Sequence, residues 1–189
     1  MIEAEVGGTW SLMGQDWRLW LVAFMSVVSL IWNEANRRKT KNTADKIRSE
    51  NVKLDEFRSS VKDPLSESLE VLHRIALRAD AISVNSKPLE EQGEEVAQIR
   101  DDAIVAVADL ETRLFDADDS EFAGAGDWSD GFEGCQDTVY QSMDAICSNE
   151  LGEDARRQAL ARFKSATFQF RKSQRKKMSD EVKSITGIQ

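Results

Sequence analysis

Leu19 to Ile31 reads LWLVAFMSVVSLI, with Trp17, Trp20 and Trp32 at its edges. From Leu19 to Trp32 fourteen residues pass without a charge or an amide, a length at which a buried core helix competes with a membrane span. Three features favour the span. The apolar body formed by Leu21, Phe24, Val27, Val28, Leu30 and Ile31 is interrupted only by Ser26 and Ser29, whose hydroxyls can bond back to their own helix. Tryptophan at both ends suits a membrane–water interface, because indole is apolar in body and polar at its N–H. Arg18 can snorkel, so the stretch Trp10–Trp32 could cover about 34 Å at 1.5 Å per residue. Residues 17–32 are therefore expected to be a transmembrane helix.

A cleaved leader needs a basic segment before the apolar run and a small-residue cleavage site after it. Here Glu3, Glu5 and Asp16 come first, and Asn33-Glu34-Ala35-Asn36-Arg37-Arg38-Lys39 follows, so the segment is expected to stay attached. Six bases lie within residues 33–48, Arg37, Arg38, Lys39 and Lys41 among them, against Arg18 alone on the other side. Lys and Arg are retained on the cytoplasmic side, which places the short N-terminus (1–16) outside and residues 33–189 inside, in the cell (inner) membrane. The same cluster would be drawn to anionic headgroups by about 1 kcal/mol per base near the surface.

Working outward, the thirty residues 33–62 contain no Pro or Gly and read as a helical stalk of about 45 Å. Ala44, Ile47, Asn51, Leu54, Arg58 and Val61 recur at steps of three and four, a heptad seam in which Asn51 could fix the register of a parallel dimer. Arg58 in that seam opposes a strong coiled coil. A stalk packed on its own domain is the competing expectation. Asp63-Pro64 then reads as a helix start, with Asp63 as N-cap, and Leu65, Leu69, Leu72, Ala76 and Ala79 carry that helix to about Ser83. After Val84-Asn85-Ser86-Lys87, Pro88 opens a helix to residue 116 with the stripe Val96, Ile99, Ala103, Val107, Leu110 and Leu114. So short a connection makes the two helices an antiparallel pair. Cys135, Val139, Met143, Ile146 and Cys147 mark another helix. A last one runs from about Asp154 to beyond Met178, with Ala155, Ala159, Phe163, Ala166 and Phe170 on one side. The expected fold is all-α: a span, a stalk, and an antiparallel helical bundle over 63–189.

The chain holds 34 acids and 25 bases, but they are segregated. Residues 86–155 carry twenty acids and three bases, and 156–189 carry ten bases and two acids. Complementary blocks attract each other or different partners. The first expectation is that the basic last helix pairs with the acidic helix 88–116 of the same chain. Anionic lipid is the second, and nucleic acid a distant third, since Phe163, Phe168 and Phe170 fall at packing rather than stacking positions.

Two cysteines, one histidine and two prolines exclude a disulfide scaffold, the common zinc motifs and an all-β fold, which needs frequent turn signals. Cys135 and Cys147 stand about 18 Å apart along one helix and cannot bond within it; both are expected to be small core residues. His73 is expected to be a border residue with one hydrogen bond. No G-x-S-x-G, phosphate loop or dinucleotide fingerprint occurs. The glycine-rich acidic stretch 116–134 (DADDSEFAGAGDWSDGFEG) offers Asp116, Asp118, Ser120 and Asp127 at calcium-loop positions, but puts Glu121 where glycine is needed. Its aromatics Phe122, Trp128 and Phe132 either close the end of the bundle or meet a partner. No cofactor, metal or small-molecule substrate is indicated, and no catalytic residue is assigned. The expected role is a non-catalytic membrane adaptor or scaffold that binds a protein partner or itself. The alternatives are a membrane-acting effector, whose domain controls clustering of the span, and an envelope protein of reversed topology.

Overall fold

The computed structural model describes residues 9–85, 89–122, 127–148 and 150–187, which form two compact units, Met1–Asn51 and Val52–Gln189. The described residues are helical apart from their connections. Helix α1 spans Thr9–Phe57, α2 Asp63–Ser83, α3 Gly93–Asp118, α4 Phe132–Cys147 and α5 Glu153–Thr186. The all-α expectation holds. Residues 1–8 of the expected external segment, Pro88 with its two preceding residues, and residues 123–126 of the acidic stretch lie outside the described residues.

Helix α2 does not start afresh at Asp63. Arg58–Lys62 forms a π-helical turn that joins α1 to α2, and the Asp63 N–H donates to the Arg58 carbonyl, five residues back. Asp63 therefore caps nothing. A proline inside an α-helix leaves one carbonyl without its donor and crowds the preceding turn, and a widened turn just ahead of Pro64 relieves both. The Ser59 and Ser60 hydroxyls both donate to the Glu56 carbonyl, at 3.1 and 2.7 Å, within this stretch.

Helices α2 to α5 pack as a four-helix bundle. Each contacts its sequence neighbour, and α5 returns to lie against α2. The stripes expected on α2 and α3 are all buried, joined by Ile75, Ile82 and Ala106. A short 3-10 turn, Leu89–Gln92, precedes α3, so the α-helix proper begins at Gly93 rather than at Pro88 and ends two residues past 116. Helix α5 buries Ala159, Phe163 and Phe170 as expected, whereas Ala155 is exposed and Ala166 only half-buried. Its seam is completed by Leu160, Thr167, Gln174 and Met178.

The basic helix finds its acids on α2, not on α3. Lys164 Nζ lies 2.7 Å from Asp80, and Arg171 and Arg175 both reach Glu70. Arg157 donates to the carbonyls of Ile82, Ser83 and Asn85 and so closes the C-terminal end of α2. Both α3 and α5 pack on α2 and on α4, which puts them at opposite corners of the bundle. Pairing within one chain is thus geometrically withheld from the two most oppositely charged helices.

Candidate functional site

The first unit carries the apolar segment of α1. From Trp17 to Trp32 twelve large apolar side chains are exposed, from 76% at Trp20 to 42% at Val28, and they include every residue assigned above to the span. They lie on all sides of the helix, and none of this apolar window is buried. Among the described residues one helix, near the N-terminus, is therefore long and apolar enough to cross a membrane. Covering each such side chain is worth about 1.5–3 kcal/mol, so water is an unfavourable surrounding for the whole run. The Ser26 hydroxyl donates to the Val22 carbonyl at 2.8 Å, which removes the one hydroxyl on that turn from competition.

Immediately after this run the helix changes character. Arg37, Arg38, Lys39 and Lys41 are exposed, and Arg38 pairs with Glu34 at 2.9 Å. Thr40 and Thr43 return their hydroxyls to the carbonyls of Asn36 and Lys39. The cationic side chains are left to solvent or to an anionic surface. Of the expected seam, Ile47 and Asn51 are exposed and Leu54 is half-buried. Val61 is instead part of the bundle core, 1% exposed, together with Phe57, which the heptad reading passed over.

The acidic stretch is built from the inside. Asp116 to Asp118 are the last residues of α3, and Phe132 to Gly134 the first of α4, so the connection is shorter than its composition suggests. The Asp118 carboxylate accepts from the main-chain N–H of Trp128 (2.6 Å) and of Ser129 (3.2 Å). Gly131 has φ +79°, a left-handed conformation that favours glycine, and it hands the chain into α4. Phe122, Trp128 and Phe132 are all buried. Phe57 and Phe122 meet edge to face, centroids 5.2 Å apart, and Phe57 and Trp128 stand at 6.1 Å. The Trp128 indole N–H donates to the Phe122 carbonyl. These three aromatics close the end of the bundle, and their faces are not available to a partner. Among the described residues no group of three or more His, Cys, Asp or Glu could hold a metal ion. Asp118, the third position of the calcium spacing, is already committed to two amides.

Two further expectations are corrected. Cys135 is buried, and burial pushes its thiol up to about 11, but Cys147 is exposed. His73 is half-buried with no hydrogen bond to its buried Nδ1, and burial, aided by the nearby Arg171 cation, holds it below its ordinary value.

Between α2 and α3 runs an open groove of about 700 Å³, floored by Ile75 and Ala106 and bridged by the Arg78–Asp102 ion pair at 2.8 Å. Its walls are Arg74 and Arg78 on one side and Asp101, Asp102 and Asp109 on the other. No nucleophile, general base and orienting group converge there. The groove was not foreseen, because its floor, Ile75 and Ala106, lies beside the stripes that signal the core rather than in them. No protein-family model, curated protein or solved structure matches the chain.

Proposed function

We propose that this chain is a single-pass membrane adaptor, whose apolar α1 segment anchors it in the bilayer while the four-helix unit presents a protein-interaction surface. The observation that carries the reading is the apolar run Trp17–Trp32, exposed on every side. Its charged sequel at Arg37–Lys41 supports a cytoplasmic placement of the bundle, in the cell (inner) membrane, with the short N-terminus outside. A non-catalytic role accords with a groove in which Arg78 pairs with Asp102 and Asp109 accepts from Ser68. The alternatives, an effector that clusters its span and an envelope protein of reversed topology, have no observation of their own.

Membrane fractionation tests the anchor. The full chain is expected to pellet with membranes after an alkaline wash and to be released by detergent, and Val27→Arg is expected to weaken that retention, since a base at the centre of a span costs about 2.5–3.5 kcal/mol. A wild-type chain that stays in the supernatant without detergent would end the proposal. Reporter fusions at Gln189 test the orientation: activity of a periplasm-dependent reporter there contradicts it. Affinity capture from detergent extract tests the adaptor role, which fails if the chain is recovered alone and monomeric.

A further inference from the structure

Of the ten bases of 156–189, Arg157, Lys164, Arg171, Arg175 and Lys177 hold the bundle together through α2 and the acidic turn, and Lys183 pairs with Asp180 of its own helix. Arg162, Lys172 and Lys176 are exposed and have no ion pair among the described residues, and Lys172 and Lys176 lie opposite the buried seam Phe163–Phe170–Gln174. Phe168, 55% exposed, sits among them. At about 100° per residue Phe168, Lys172 and Lys176 fall within about 80° of one another, and Arg162 lies about 40° beyond Lys176 at the edge of that face.

Helix α3 shows the complementary face. Val105 is 69% exposed, with Asp101 one turn before it and Asp109 one turn after, and Asp116 continues the line. The Asp101 and Asp109 carboxylates are both at least half exposed, although Asp101 lies 3.6 Å from Arg100 and Asp109 accepts from Ser68 and lies 3.8 Å from Arg113. The heights agree as well. Arg78 meets Asp102 while Asp80 meets Lys164, and Ser68 meets Asp109 while Glu70 meets Arg171. Traced through α2, Val105 stands level with Phe168 to within about one residue, or ~1.5 Å of rise. Asp109 then falls about one residue from Lys172, while Asp101 stands about three residues from Arg162 (~4.5 Å of rise) and Asp116 about four from Lys176 (~6 Å), offsets within reach of long basic side chains. Because α3 and α5 run parallel at opposite corners, a second molecule set alongside in the same orientation brings one face against the other in this register.

We infer that the outward face of α5 docks on the outward face of α3 of a second copy of this chain. Each bundle keeps its other face free, so the contact is heterologous and repeats from molecule to molecule. The apolar centre is Phe168 against Val105, and the charges on either side select the partner and its register. The inference does not depend on the membrane anchor, although shared confinement in a bilayer would raise the effective concentration.

The test uses the full chain in detergent micelles. Mass photometry is expected to show stepwise growth in low salt that reverts at about 0.5 M, where the screening length is about 4 Å. The α5 variant R162E/K176E and the α3 variant D101K/D116K, which leave Lys172 and Asp109 unchanged, are each expected to raise the concentration needed for association about tenfold or more. Mixing the two variants is expected to restore it, since each then offers the other a complementary face. In a Cys147→Ser background, Val105→Cys with Phe168→Cys is expected to give a disulfide ladder, which requires Cα atoms within about 7 Å. Association indifferent to salt and to both reversals assigns self-contact to the apolar helix and overturns the inference. So does a mixture that fails to restore association, or an α5 face that binds anionic vesicles or an oligonucleotide while the wild-type chain stays monomeric.

Discussion

The side-chain amide of Gln174 donates to the main-chain carbonyl of Trp128 across 2.8 Å, joining residues 46 positions apart where both are fully buried. This bond ties the middle of α5 to a turn that composition alone would class as loose. Trp128→Ala is expected to destabilise the bundle by about 3–5 kcal/mol, through the lost contact with Phe57 and the cavity left behind. Gln174→Ala is expected to cost about 1–3 kcal/mol, and Gln174→Leu less, because leucine also removes an Oε1 that has no partner. Urea titrations followed by circular dichroism check both, and an unchanged midpoint for Trp128→Ala would remove the turn from the core.

Asp118 holds two amides of the same turn. Asp118→Ala is expected to cost about 1–3 kcal/mol, because two donors lose their acceptor. Asp118→Asn, which keeps a carbonyl oxygen but loses the charge, is expected to fall between. If calcium stabilised the wild-type chain and not Asp118→Ala, the carboxylate would be a metal ligand after all; thermal melts with and without calcium read this directly.

The two thiols are expected to react at very different rates. Cys147 is exposed, while Cys135 is 6% exposed and its thiol is pushed up to about 11. At about pH 8 a thiol reagent should label one site in the folded chain and both in denaturant. Mass spectrometry of the labelled peptides identifies which.

His73 gives the bundle a dependence on acid. Burial and Arg171 lower its pKa from 6.5, with Arg175 and Lys164 acting the same way and Glu70 opposing them. The unfolded chain therefore takes up this proton more readily than the folded one. Stability is unaffected by His73 well above pH 6.5, and it declines as the pH falls below that value, until the folded imidazole protonates too. His73→Gln is expected to flatten that part of the wild-type stability profile between about pH 7.5 and pH 5. Two parallel profiles would refute it.

The stripes of α2 and α3 were legible because apolar residues at three- and four-residue steps report a buried face whatever lies against it. What a period cannot report is the identity of the neighbour. The basic character of α5 was plain, yet its acids were assigned to α3, when Glu70 and Asp80 of the far less acidic α2 receive them. Asp63-Pro64 has the composition of a helix start, and only the π turn at Arg58–Lys62 shows how a helix passes through it. Phe57 was missed because it stands off the heptad that led to Leu54 and Val61. Thr167 and Gln174 were missed because polar residues inside a seam look like breaks in it. Burial of Trp128 had one available signal, an aromatic among glycines. That signal could not tell a plug from a lure.

The diagonal separation of α3 from α5 gives the bundle an electrical axis across its width rather than along its length. A row of such molecules joined through these two corners has a head and a tail that are chemically different. Extension at either end joins one carboxylate face to one basic face, so acid and salt weaken the growth equilibrium at both ends alike, while the group left open differs between them. A copy stripped of charge on a single corner becomes a terminator: it is admitted at one end and bars any successor.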